Sequence, residues 1–175
     1  KNISNVVLDK YEFMTEKMGI TLDGLYKKSE EVTAECITDK NVQRSLQAAE
    51  LELGEKNALS KYFAYTDLDC VSEYCYIDNK ENVYTKSYSN LSYKDFKKSG
   101  IEKKLSSNYA KTQWFFQEDT LFQTGRSELF IGRNVRNMED VHAPGRLFFK
   151  MDEKYLESIV EEQKEIEDIV VGVVD

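Results

Sequence analysis

Residues able to do chemistry are few in this chain, and their settings restrict what it can catalyse. The single histidine, His142, lies in Met138-Glu139-Asp140-Val141-His142-Ala143-Pro144-Gly145, whose turn formers read as a loop between strands. One histidine cannot build the usual zinc site. A Cys/His nucleophilic pair would need Cys36, Cys70 or Cys75, and none of them sits in a strand-to-helix elbow. Glycine-rich phosphate loops of either common type are missing, so nothing is built to cradle a nucleotide. Carboxylates abound, but Glu30-Glu31, Glu161-Glu162 and the run from Glu165 to Asp168 fall where helices show a solvated face. No catalytic residue, metal or cofactor is therefore assigned, and the segment is read as a non-enzyme.

One constellation could bind a ligand. Between Tyr109 and Arg146 the chain gathers its only tryptophan, Trp114, with Phe115, Phe116, Phe122 and Phe130, and three further arginines, Arg126, Arg133 and Arg136. Aromatic walls with a few cations suit a small anionic or zwitterionic ligand, because the guanidinium fork matches a carboxylate. The plainer alternative makes the aromatics core and the arginines surface. Trp114, Arg126, Arg133 and Arg146 are the candidate ligand-binding residues. Strand alternation puts Phe130 and Gly132 on one face and Ile131 and Arg133 on the other. If Ile131 is core, Arg133 points inward and needs a partner, and the small Gly132 opens space beside it.

The elements that would position these residues follow from periodicity. Val7, Tyr11, Met14, Met18, Thr21, Leu25, Ser29, Val32 and Cys36 recur in steps of three and four, a heptad-like stripe that predicts a long first helix. The stripe serves either a parallel homodimer through Val7, Met14, Met18 and Leu25 or packing on the helix's own domain. Thr38-Asp39 is N-cap material for a second helix ending near Gly54, and Leu59 to Tyr65 adds a short third piece. Extended segments are expected near 71–77, 82–86, 113–117, 128–136, 145–151 and 168–174. The turn Asp78-Asn79-Lys80-Glu81-Asn82 joins the first two, Ser92 caps a helix between the second and third, and Asp152 opens one before the last. Strands in near succession predict an antiparallel sheet, hence an α+β domain: a helical stalk over 1–58, then a sheet domain over 59–175.

Composition agrees. With 175 residues, 41% hydrophobic and 32% charged, the chain can bury one core. A net charge of −8 with scattered Lys and Arg argues against nucleic acid as a partner. No apolar run approaches the ~18 residues of a membrane helix, the longest being Ile169 to Val174 around Gly172. The start lacks Met and any secretory-signal order, which suggests a segment of a longer protein. The three cysteines are too few for a disulfide framework and are read as buried thiols.

Five stretches then occur in a familiar order: Asp39-Lys40-Asn41-Val42-Gln43-Arg44-Ser45-Leu46, the hairpin Tyr76 to Tyr84, Trp114-Phe115, Leu129-Phe130-Ile131-Gly132-Arg133-Asn134-Val135-Arg136, and Gly145 through Leu156. The chain resembles the extracytoplasmic Cache (PAS-like) sensor domains of YesM-type sensor histidine kinases of bacteria. The resemblance implies a long N-terminal helix followed by a PAS-like antiparallel sheet with flanking helices. It implies membrane contact only through flanking segments, and a final strand and membrane helix beyond Asp175. The signal would be a small molecule or a ligand-loaded binding protein. The kinase and its phosphorylated histidine, which would not be His142, lie outside this segment. The same pattern serves chemotaxis receptors and diguanylate cyclases. The rival of another class is a small secreted or cell-surface hydrolase using Asp140, His142 and a further carboxylate.

Overall fold

A computed structural model describes the backbone of residues 3–65, 70–86, 90–105 and 111–172. Within the first and last helices, side chains are described at 16, 19, 21–38, 153–155, 157–159, 161, 162, 164 and 165. The chain divides into two compact units, one of residues 1–28 with 153–175 and one of residues 29–152.

Helix α1, Ile3–Thr38, belongs to both units. Leu25, Ser29, Val32 and Cys36 are all buried within a single copy, so this end of the stripe serves the chain's own core. Val7, Met14 and Met18 lie outside the described side chains. Asp39 then leaves helical geometry (φ −63°, ψ 132°), and its carboxylate accepts the N–H groups of Asn41 and Val42, starting α2, Lys40–Gln47. This helix stops at Ala48 rather than near Gly54, because a new start intervenes: Glu55 accepts the Glu52 N–H at 2.9 Å and opens α3, Leu53–Ala64. Gly54 thus sits in the first turn of a helix instead of ending one.

The second unit carries the sheet. Strands β1 (Val71–Ile77), β2 (Val83–Thr85), β3 (Gln113–Glu118), β4 (Ser127–Val135) and β5 (Gly145–Met151) are antiparallel throughout, in the order β2-β1-β5-β4-β3. Between β2 and β3 lie α4 (Tyr93–Ser99), begun by the Ser92–Asp95 capping box, and α5 (Ile101–Lys104). Gly100 joins these helices at φ 75°, a left-handed conformation that side chains with a Cβ avoid. The expected α+β class with a long first helix is what the structure shows.

The last expected strand is absent. Over 168–172 the chain is helical, as the end of α6, Glu153–Gly172, while 173–175 lie outside the described residues. The β-branched cluster Ile169-Val170-Val171 invites an extended reading by composition. Yet Ile159, Ile166 and Val170 continue a helical spacing with no glycine or proline between them. A helix already under way adds one hydrogen bond per residue, which outweighs the weak local preference.

The rear face of the sheet packs α1 to α3. Phe63 of α3 lies 5.4 Å from the Tyr74 ring and stacks on Tyr76 at 5.0 Å, while the Tyr76 hydroxyl shares a 2.6 Å hydrogen bond with Ser45 of α2. Gly145 is needed here, since a Cβ would come within about 3.0 Å of the Tyr76 ring. Burial disfavours ionisation of groups on both faces of the sheet. It pushes the Cys36 thiol up to about 11 and the Tyr74 and Tyr84 hydroxyls up to about 12, with Cys75 and Tyr76 driven in the same direction. These groups stay protonated when folded but release protons near their ordinary values, 9.0 and 10.0, when unfolded. Stability is then full below about pH 9 and is lost as pH climbs toward 11–12. The urea midpoint should fall steadily above pH 9, and a midpoint unchanged up to pH 11 would contradict this account.

Candidate functional site

The four sequence candidates do not converge. Trp114, opposite Ile131, and Arg133, opposite Leu147, point to the rear face; Arg146 points to the front face. Arg126 precedes β4 with its side chain 59% exposed, 3.6 Å from Glu128.

Alternation predicted the direction of Arg133 correctly: Ile131 is fully buried and Arg133 is 5% exposed beside it. Its partner is Glu30 of α1. Arg133 Nη1 lies 3.7 Å from the Glu30 carboxylate and 3.3 Å from Thr33 Oγ1, and it donates to the Glu30 carbonyl. The same carboxylate accepts the Thr112 N–H at 2.7 Å and the Thr112 hydroxyl. One carboxylate therefore joins α1 to the start of β3 and to β4. The space expected at Gly132 is also taken, on the opposite face: a Cβ there would lie 2.3 Å from Leu105 Cδ2. Glycine at 132 admits the end of α5 rather than a ligand.

The front face has a different character. Cys75 and Ile77 of β1, Phe148 of β5 and Phe130 of β4 form its floor, and Phe96, Ile101, Leu105 and Leu121 close over them. Phe148 is central, with ring centroids 5.7 Å from Phe96, 6.2 Å from Phe130 and 6.5 Å from Phe122. The loop carrying Leu121 and Phe122 is held by the buried Asp119, whose carboxylate accepts the N–H groups of Leu121, Phe122 and Thr124 at 2.9–3.2 Å. Backbone bonds from Asp119 N to Arg126 O and from Gly125 N to Asp119 O close the loop base.

Charge sits at both ends of this apolar floor. At one end Arg146 Nη2 is 2.7 Å from Glu102 of α5, and Lys97 donates to the same carboxylate. Burial pushes the Glu102 carboxyl up, but Lys97 and Arg146 together outweigh that and hold it below the usual carboxylate range. At the other end Glu73 of β1 stands opposite Lys150 of β5. The sequence named Arg146 but not Glu102, Glu73 or Lys150, although Arg146, Phe148 and Lys150 alternate in Gly145–Met151 and could have been placed on one face.

His142 lies exposed in the β4–β5 loop, where its backbone N–H donates to the Asp140 carboxylate at 2.9 Å. No helix among the described residues is long and apolar enough to cross a membrane.

The chain matches no protein-family model and no curated protein. Among solved structures it is similar to the sensor domain of the V. cholerae histidine kinase DctB, with a TM-score of 0.62 and 14% identity over 91% of this chain. It spans 59% of the length of that structure's chain. At that identity the likeness defines the fold. It is a Cache, PAS-like α+β fold, with an N-terminal helix, a five-stranded antiparallel sheet and flanking helices.

Proposed function

We propose that this chain is the extracytoplasmic signal-sensing domain of a membrane-bound sensor histidine kinase, of the YesM type that its sequence resembles. The likeness of fold to a histidine kinase sensor domain carries this reading. Two features support it. The first and last helices, α1 and α6, contribute to one compact unit, while α1 also continues into the sheet-bearing unit, where Glu30 ties it to β3 and β4. A ligand that favours one arrangement of the sheet over another can thus bias a helix leading away from it, which is the two-state element that signalling requires. The apolar floor of the front face is closed over by Phe96, Ile101, Leu105 and Leu121, so a small ligand would meet its border, where Arg146 stands beside Glu102. A second copy would meet this one along α1 through Val7, Met14 and Met18, with Leu25 left to the single-copy core.

The test uses the full-length protein in its native membrane. Cys36, Cys70 and Cys75 are buried, so a Glu139→Cys label at the exposed β4–β5 loop reports on this segment once any cysteines elsewhere in the full-length protein are replaced by serine. A membrane-impermeant maleimide should label it on intact cells, and Met18→Cys should cross-link two copies under oxidation. Labelling only after lysis would overturn the extracytoplasmic assignment, and a Met18→Cys protein that never cross-links would remove the dimer.

A further inference from the structure

Ser29 and Thr33 are polar side chains buried in the middle of α1, in the turn at which the sheet-bearing unit begins. No glycine or proline interrupts the helix between Leu25 and Thr38, yet backbone bonds are not all that this turn makes. Thr33 Oγ1 donates to the Ser29 carbonyl at 2.7 Å and lies 3.2 Å from the Glu30 carbonyl. In a regular helix those two carbonyls receive the N–H groups of residues 33 and 34. A hydroxyl that bonds back to the i−4 carbonyl competes with the helix, weakens it slightly and often bends it. Strand β4 adds a second competitor, because Arg133 Nη1 lies 3.4 Å from the Glu30 carbonyl and 3.3 Å from Thr33 Oγ1. One turn of α1 thus shares its acceptors with a hydroxyl of its own and with a cation carried on the sheet.

Neither group is needed for packing alone. A valine at 33 would fill the same volume with no hydroxyl to place, and the Glu30 carboxylate already answers the Arg133 charge. We propose that the Ser29–Thr33 turn is a flexure point in α1 whose stiffness is set by the position of Arg133. With the guanidinium seated, the Ser29 and Glu30 carbonyls are divided between N–H groups and side-chain donors, and the helix yields there. A shift of β4 that withdraws Arg133 frees the Glu30 carbonyl, and the turn closes on its own N–H groups. What the sheet passes to α1 is then a change in stiffness rather than a new contact. This deepens the sensor reading by naming how the sheet acts on the helix, and it rests on that reading for its role in signalling. The flexure itself stands on the hydrogen bonds.

The experiment is amide hydrogen exchange on the 175-residue chain and on its Thr33→Val, Thr33→Ser and Arg133→Met variants. Protection of the residue 33 and Ala34 amides is divided by that of Ile131, fully buried in β4, so that changes in overall stability cancel. Thr33→Val should raise this ratio roughly fivefold, the scale of one hydrogen bond. Arg133→Met should raise it at Ala34, and Thr33→Ser, which keeps the hydroxyl, should leave it unchanged. In the full-length protein Thr33→Val should alter ligand-free kinase autophosphorylation by roughly fivefold or more, the low end of coupling between sites. Thr33→Ser should not. Equal ratios in the unmodified chain and Thr33→Val would overturn the inference, and so would a lower ratio in Thr33→Val, the mark of a hydroxyl that only supports the helix. A ratio unmoved by Arg133→Met, or an output unmoved by Thr33→Val, would equally overturn it. A full-length protein with no autophosphorylation would remove the sensor reading, and the exchange ratios would still decide the flexure.

Discussion

Phe148→Ala should destabilise the chain by about 3–5 kcal/mol, the usual result of emptying a fully buried phenylalanine site. Phe148 is completely buried and touches rings from three other elements: Phe96 of α4, Phe122 of the loop after β3, and Phe130 of β4. Relaxation into the cavity is restricted because Leu105 already presses on Gly132 next to it. For a chain of this size the melting temperature should drop by roughly 6–20 °C. Phe148→Leu keeps most of the volume and should cost less than half as much. Phe116→Ala supplies the control, since Phe116 is 68% exposed on the edge strand β3 and its loss should stay within about 0.5 kcal/mol. Urea denaturation of the three variants decides it: equal losses for Phe148→Ala and Phe116→Ala would mean that the front face is not a packed core.

The second large effect concerns the link between α1 and the sheet. Glu30→Ala leaves the Arg133 guanidinium buried without its carboxylate and strips the Thr112 N–H of its acceptor. Breaking a buried pair from one side typically costs about 3–5 kcal/mol. The Glu30 side chain is 24% exposed, so water offsets part of that and about 2–3 kcal/mol is expected. Arg133→Met, which fills similar volume without the charge, should cost less than Glu30→Ala. The double variant should be more stable than the sum of the single losses implies, with a coupling of about 1–2 kcal/mol. Strict additivity in the double-mutant cycle would show that Glu30 and Arg133 contribute separately. Under the sensor reading the same variants should also uncouple kinase output from ligand, because α1 loses its tie to β3 and β4.

Much of the architecture was legible in the chain itself. Strands β4 and β5 stood out because short apolar and aromatic runs, Leu129-Phe130-Ile131 and Leu147-Phe148-Phe149, are bounded by polar and turn residues, and the starts at Asp39 and Ser92 because short polar side chains there satisfy free N–H groups. The inward direction of Arg133 followed from the burial of Ile131 by alternation alone. These features depend on residues within a few positions of one another, which is the range over which backbone hydrogen bonding and side-chain periodicity operate.

The tertiary structure decided what those elements meet. That Glu30 would answer Arg133, 103 residues away, depends on where α1 crosses the rear face. That Leu105 would fill the space at Gly132 depends on where α5 ends over the front face. Register split Trp114 and Arg133 from Arg146, although all had been grouped as one site, and the same register set Glu73 opposite Lys150 across strands distant in sequence. The physical reason is common to these cases. A side chain's direction follows from its own strand or helix, but its partner is supplied by another element, and that pairing is chosen by the packing of the whole core.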